Sequence, residues 1–434
     1  MAIIALSYTV FAGLYGVAYT DFFQFAIMAA AALTLSFKAA LLPDHAQVLA
    51  TAGAEWASVA PRMTADPMPW LLNPNVYRLF GLCVVVWILK SVVDGLGGTA
   101  GGYMPQRYYA AKDERAAGLM TVQWVLLLTI RWSMVAGIAF LGIWIASHDP
   151  ATAARLTDNP EQTLPVVLGT VLPHGMLGIA IAGLVAAEIS TIESVLNAGA
   201  AYWVRDIYHR FLRRGAGERE LVRQGYAATV ALAALGVVLA IGVKNIDEIW
   251  NWITGPLSGG ILAPLVMRWY WWRFNGDGFA WGTGAGLTAA LFIGLFWPET
   301  PFYLSIAITT GISTAVGVAV SLATQAVDEE RLRAFYRQMR PFGFWGRLPE
   351  EIPAAERAAH RRESRLDLLN MLIALVWQVS LFLGACLLVL RDWQGVGIAW
   401  GISVALGAVL YFTWYRTLPA SDTTLGTERS DSVP

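Results

Sequence analysis

The feature that most constrains this chain is a series of apolar runs, most of them about 18 to 25 residues or longer, the length a helix needs to cross a hydrocarbon core of about 30 Å. They fall at about 1–18, 21–42, 79–107, 117–147, 167–204, 221–243, 247–271, 279–297, 302–324, 368–390 and 395–416, ten full spans and one short first segment. In lipid every backbone N–H and C=O must be bonded within the chain, so such runs fold as helices. Composition agrees: of 434 residues 56% are hydrophobic and 14% charged, against roughly 25% charged in a soluble domain. The chain reads as an all-α, polytopic membrane helical bundle.

Net charge is −1, but in such a protein the distribution of Lys and Arg matters more than their sum. The loop 43–78 holds only Arg62 and Arg78, and 148–166 only Arg155. The alternate loops carry Arg107, Lys112 and Arg115, then Arg205, Arg210, Arg213, Arg214 and Arg219. The basic-rich loops mark the cytoplasm, which also places segment 325–367 and the polar tail 417–434 inside and Met1 outside. No basic region precedes the first apolar run, so it is not a typical signal peptide. It looks instead like the tail of a longer hydrophobic hairpin whose beginning is missing. The expected location is the cytoplasmic (plasma) membrane, multi-pass, with the lipid bilayer as partner and no nucleic acid.

Cys83 and Cys386 lie in separate apolar runs, which suggests neither a disulfide framework nor a thiolate site. His45, His148, His174, His209 and His360 never occur at metal-ligand spacing. No nucleophile, base and orienting group recur together, so an enzyme is not expected and no catalytic residue is assigned.

Polar groups enter the spans in two places. In "GLVAAEISTIESVLNAGAAYWV", residues 183–204, the positions Ala187, Ser190, Thr191, Ser194 and Asn197 fall within about a third of the helix circumference. Glu188 and Glu193 flank that stripe, roughly 140° apart. The stripe is open to two readings: hydroxyls bonding back to carbonyls one turn earlier, or groups facing a water-filled path. Glu188 favours the second, because an intramembrane carboxylate is costly. In the third span Lys90 and Asp94 are four apart and predict a pair on one helical face. Gly95, Gly97, Gly98, Gly101 and Gly102 follow, and predict two half-helices with unwound backbone between them, or else a helix ending at Gly95. Arg131 is a further deep charge, within the reach of a pairing with Glu188 or Asp94 that could serve structure or function alike.

Several stretches carry a resemblance. "GLYGVAYTDFFQF" (13–25) has Thr20, Asp21 and Gln24 in order, "GGYMPQRYYAAKDE" (101–114) leads to Gln-Arg and a Lys-containing turn, and "AAEISTIESVLNAGAAYWVRDIYHRF" (186–211) has Ser-Thr, Leu-Asn and a closing Asp-Ile-Tyr. These resemble the sodium:solute symporter family, and "MRWYWWRFNGDG" (267–278) and "RPFGFWGRL" (340–348) resemble a large bacterial subgroup of it. The resemblance implies an inverted-repeat (LeuT-like) transporter fold, N-terminally truncated: 1–42 would be the end of the first five-helix repeat, 79–271 the second repeat, and 279–416 additional helices. It implies symport of a small polar solute with a sodium ion as the coupling ion and only cofactor. Sodium would bind at Ala187, Ser190 and Thr191, with Asp21 and Glu188 along the ion pathway and the remaining ligands on a helix of the first repeat. For Asp21 a plain helix cap with Gln24 stands beside that role. The substrate would sit at Gly101, Gly102 and Tyr103, facing Trp252 and Thr254. Glu188 and Glu193 depart from the family pattern, which leaves sodium and proton coupling both open. So does the absent part: a separately encoded N-terminal half or a start placed too late would each explain it. The alternatives to transport are a non-transporting sensor or scaffold acting through 325–367, and an inactive truncated transporter.

Overall fold

The computed structural model describes residues 22–52, 77, 79–97, 108, 111–241, 246–339 and 341–418. Among them, eight helices are long and apolar enough to cross a membrane. These are α1 (Phe22–Ala40), α4 (Glu114–His148), α7 (His174–Ala201, running on as a π-helix Tyr202–Leu212), α8 (Glu218–Ile241), α11 (Gly276–Phe296), α12 (Phe302–Ala323), α14 (Ala354–Val389) and α15 (Trp393–Thr413). The others are α2 (His45–Ala52), α3 (Phe80–Leu96), α5 (Pro150–Asp158), α6 (Thr163–Val171), α9 (Ile246–Trp252), α10 (Ser258–Tyr270) and α13 (Glu329–Met339). Large apolar side chains such as Leu295, Ile241 and Val404 are exposed along the helices, as a lipid-facing surface requires.

The two remaining expected spans are not continuous helices. Helix α3 stops at Leu96 with Gly97 as its C-cap, and 98–107 lie outside the described residues. The Tyr270 hydroxyl donates to the Leu96 carbonyl at 2.8 Å, satisfying an oxygen that the helix end leaves open. The span expected at 247–271 is α9 and α10 joined by a π turn, Ile253–Leu257, which contains Pro256. Proline has no N–H for the carbonyl four residues back, and a π turn, bonding five residues apart, accommodates the gap. The run expected as one span at 167–204 is divided at Leu172–Pro173 into α6 and α7. The proline ring disfavours helical backbone at the residue before it, and Leu172 is extended at ψ 132.

Lipid gives apolar side chains no reason to leave it, so these helices pack by close backbone approach at small residues. A Cβ on Gly260 would lie 2.6 Å from the Gly286 carbonyl carbon, and one on Gly282 would lie 2.9 Å from the Gly317 Cα, which locks α10, α11 and α12 together. Helix α1 is gripped from two sides: a Cβ on Gly137 of α4 would lie 3.2 Å from Ser36 Cα, and one on Gly183 of α7 would lie 3.1 Å from Met28 Cα. At its outer end Leu35, Ala39, Phe140, Leu141, Val167 and Val389 share one buried core. There Arg391, in the turn between α14 and α15, donates to the Ala40 carbonyl through Nε and to Leu42 through Nη2 at 3.2 Å. His45 Nε2 lies 3.0 Å from the Val389 carbonyl.

On the other side of the bilayer the two subgroup motifs meet. Phe344 N–H donates to the Tyr270 carbonyl at 2.7 Å, and Trp272 N–H to the Phe344 carbonyl at 3.0 Å. Asn275 donates to Thr324 Oγ1 and to the Gln325 carbonyl, both at 2.7 Å, and Arg273 Nη2 to the Thr324 carbonyl at 2.7 Å. The end of α10 thereby closes the end of α12. Gly343 has φ +129, and a side chain there would run into the Tyr270 carbonyl. Gly343→Ala should therefore lower stability by about 1–3 kcal/mol, read as a lower melting temperature in detergent; an unchanged melt would show the crossing to be slack.

The Lys90–Asp94 pair forms as expected, at 2.7 Å with side chains 15% and 23% exposed. Removing one partner leaves the other charge unpaired inside the protein. Lys90→Met should cost about 3–5 kcal/mol, and the double variant Lys90→Met/Asp94→Leu should recover most of that loss. A double variant no more stable than the single one would place the value of Lys90 elsewhere.

Candidate functional site

The polar stripe of α7 lies across the edge of that helix's packed face. Glu193 is fully enclosed at 0% exposure and Ser194 is buried, Ala187 and Ser190 are half-buried, and Glu188 and Thr191 are exposed. Thr191 Oγ1 donates to the Ala187 carbonyl at 3.0 Å, so two of the three candidate ligands sit oxygen to oxygen on one turn. A threonine hydroxyl bonding back in this way keeps its lone pairs for a cation, while the Ala187 carbonyl accepts both that hydroxyl and the helical N–H of Thr191.

Helix α1 crosses α7 antiparallel, with Ala26, Ile27 and Ala30 facing Gly175, Gly178, Ile179 and Ala182 across a shallow groove. From the Met28–Gly183 contact, one helical turn toward the N-terminus of α1 and one toward the C-terminus of α7 bring Gln24 level with Ala187. The Gln24 Oε1 atom is enclosed and accepts no hydrogen bond among the described residues. Gln24 was legible only as part of the Thr-Asp-Gln motif; the sequence holds no signal for its enclosed amide oxygen, because that depends on where α7 crosses. Asp21 lies outside the described residues.

Two other candidates lie where α9 meets the π turn of Pro256, Trp252 as the last residue of α9 and Thr254 within the turn. Trp252 Nε1 donates to the Ala290 carbonyl at 3.2 Å, so its ring is set against α11 near Gly294. Thr254 Oγ1 donates to the Trp250 carbonyl at 2.7 Å. Gly101, Gly102 and Tyr103 lie outside the described residues. The start of α9 is clasped from afar: Glu161 Oε1 accepts from Ile246 N–H at 2.8 Å and Asp247 N–H at 3.0 Å, a carboxylate on a helix N-terminus. Asn251 Nδ2 donates to Asp247 Oδ2 at 2.9 Å, and the Tyr77 hydroxyl donates to Asn251 Oδ1. Burial, with the charge of Asp247 beside it, pushes the Tyr77 hydroxyl up to about 12 and keeps it a donor. Neither Glu161 nor Tyr77 stood out in the sequence, since each acts across a long separation.

Arg131 is exposed and, among the described residues, pairs with neither Glu188 nor Asp94. Asp94 is taken by Lys90 one turn away, a shorter reach than another helix offers. Glu193, and not the more suspect Glu188, is the enclosed carboxylate, because periodicity gives the angle between two residues and not which of them faces inward.

Interrupted membrane helices are a feature of many secondary transporters, whose ion and substrate sites use the backbone groups they free. The model of the sodium:solute symporter family matches residues 1–286. The chain is 25% identical over 352 residues to a sodium/glucose cotransporter of Vibrio parahaemolyticus, covering 76% of this chain and 62% of that one. It is 26% identical over 320 residues to the osmoregulated proline transporter OpuE of Bacillus subtilis (73% and 57%). It is 28% identical over 320 residues to the human sodium/myo-inositol cotransporter 2 (65% and 45%). The aligned region thus spans 62% and 57% of the length of the first two relatives. With its membrane helices and a family match across most of its length, this multi-pass membrane protein belongs to the sodium:solute symporter family.

Proposed function

We propose that this chain is the ion- and solute-binding part of a sodium-coupled symporter that brings a small polar solute inward across the cytoplasmic membrane. The Ala187 carbonyl and the Ser190 and Thr191 hydroxyls form one wall of the sodium site, and the Gln24 amide oxygen stands at their level. A hard cation such as sodium favours neutral and carboxylate oxygens, and this set supplies neutral ones. Asp21 and Glu188 line the path on either hand. The remaining oxygens come from a helix of the first repeat, of which 1–42 is the end; 79–271 is the second repeat. That helix belongs to this polypeptide or to a separately encoded N-terminal half.

Sodium bound there favours the outward-open arrangement, and solute binding then permits the repeats to rock inward. The solute lies between Gly101, Gly102 and Tyr103 on one side and, on the other, Trp252 at the end of α9 with Thr254 in the π turn that follows. The named relatives carry glucose, proline or myo-inositol, which makes hexoses, inositols and proline the first solutes to offer. The observation that carries this reading is the level match of Gln24 with the Ala187 turn: an amide oxygen that is enclosed and, among the described residues, without a hydrogen bond, at the height of a threonine hydroxyl that retains its lone pairs.

Sodium should raise the melting temperature of the purified chain as its concentration rises, the stabilisation reaching about 2.7 kcal/mol at a hundred times the dissociation constant, and potassium should not. Ser190→Ala/Thr191→Ala should abolish that response and Gln24→Leu should weaken it. Identical melting curves in sodium and potassium at every concentration would overturn this assignment.

A further inference from the structure

Helix α14 begins in the cytoplasmic segment and runs without a break into the bilayer. Its first four turns sort their charges by side. Arg357, Arg361, Arg362 and Arg365 span about 140° of the helix circumference, and Glu356, Glu363 and Asp367 gather on the opposite face. The four arginines, with Ala354, Ala358, Leu366 and Leu369, line one groove of about 600 Å³. Arg357 is tethered through Nη2 to the Glu350 carbonyl at 3.2 Å and the Ile352 carbonyl at 3.1 Å. Arg361, Arg362 and Arg365 are exposed and, among the described residues, make no hydrogen bond or ion pair. The nearby acids Glu329 and Glu351 are taken by Arg333 of α13. Arg357, Arg361 and Arg365 are stacked four apart, and like charges at that spacing destabilise a helix. An anion in the groove would remove that cost.

The face changes character along its length. Past Arg365 it continues as Leu366 and Leu369, 42% and 53% exposed, and then as Leu372 and Val376, 52% and 51% exposed. From Arg357 to Leu369 is about 18 Å at 1.5 Å per residue. A ligand that fits must therefore be anionic at the end nearer the cytoplasm and apolar at the end inside the bilayer. We propose that this face of α14 binds an anionic phospholipid of the cytoplasmic leaflet, its phosphate among Arg361, Arg362 and Arg365 and its acyl chains along Leu366, Leu369 and Leu372. Basic clusters just inside a membrane helix attract such lipids, with each arginine adding about a fivefold gain in affinity.

The test is retention of dioleoyl phosphatidylglycerol by the full chain in detergent, measured by native mass spectrometry and by the shift in melting temperature, with dioleoyl phosphatidylcholine as control. The wild type should keep phosphatidylglycerol and melt higher with it. Arg361→Gln/Arg362→Gln/Arg365→Gln should bind it about 100-fold more weakly, yet melt no lower than the wild type in phosphatidylcholine alone, which shows that it folds. Glu363→Gln/Asp367→Asn should bind as the wild type does. Equal retention by the wild type and the triple variant, or equal retention of both lipids, would overturn the proposal. So would a shift of the same size from inorganic phosphate, which would make the groove a site for free anions. Binding that appears only after removal of residues 419–434, whose Asp422, Glu428 and Asp431 could occupy the groove, would assign it to the chain's own tail.

Discussion

Inside a bilayer, helices are held together by how closely their backbones can approach, since apolar side chains are as well solvated by lipid as by one another. In this protein that approach is set by glycine. Gly137 and Gly183 admit α1 between α4 and α7, and Gly260 and Gly282 bring α10, α11 and α12 into contact. The candidate site follows from the first of these arrangements. Because Met28 lies on Gly183, the next turn of each helix meets its counterpart, and a glutamine amide oxygen comes to the level of a carbonyl and a hydroxyl. A bulkier residue at 183 would separate the two helices and with them the oxygens.

The same physics explains where regular helix gives way. A continuous membrane helix bonds its backbone groups within itself, whereas an interrupted one leaves some of them free for other partners. Helix α3 ends beside its glycines with one carbonyl accepting from Tyr270, and α9 meets α10 through a π turn at Pro256. These two spans carry the proposed solute contacts.

Much of the fold could be read in the sequence because its signals are local. Apolar runs marked all eight long helices, six of them to within a few residues, while α14 starts at Ala354, 14 residues before the expected 368, and α7 at His174, seven after the expected 167. The four-residue spacing of Lys90 and Asp94 marked their ion pair, and the glycine cluster the end of α3. What could not be read lies between segments distant in sequence. "RPFGFWGRL" was recognisable as a motif, but its pairing with Tyr270 and Trp272 depends on a chain reversal that no periodicity encodes. The clasp of Glu161 on α9 spans 85 residues. Proline at 173 was visible, yet hydropathy alone runs smoothly through it, and so α6 and α7 were merged. In the site, the stripe on α7 was legible but its direction was not, which is why Glu188 drew the attention due to Glu193.

The bonds from Arg391 to Ala40 and Leu42, with His45 on Val389, fasten only one end of α1. At the other end, among the described residues, Gln24 has no comparable tie through its amide oxygen. The helix is about 28 Å long, with its inner half held by the packing of Met28 on Gly183 alone among the contacts described above and its polar ties at the outer surface. A tilt of about 10° around that point would move its inner end by about 5 Å, roughly one helical turn, while leaving the outer core of Phe140 and Leu141 in place. Any such tilt would have to slide Met28 off Gly183, so the one close backbone contact of the inner half decides how far α1 can lean.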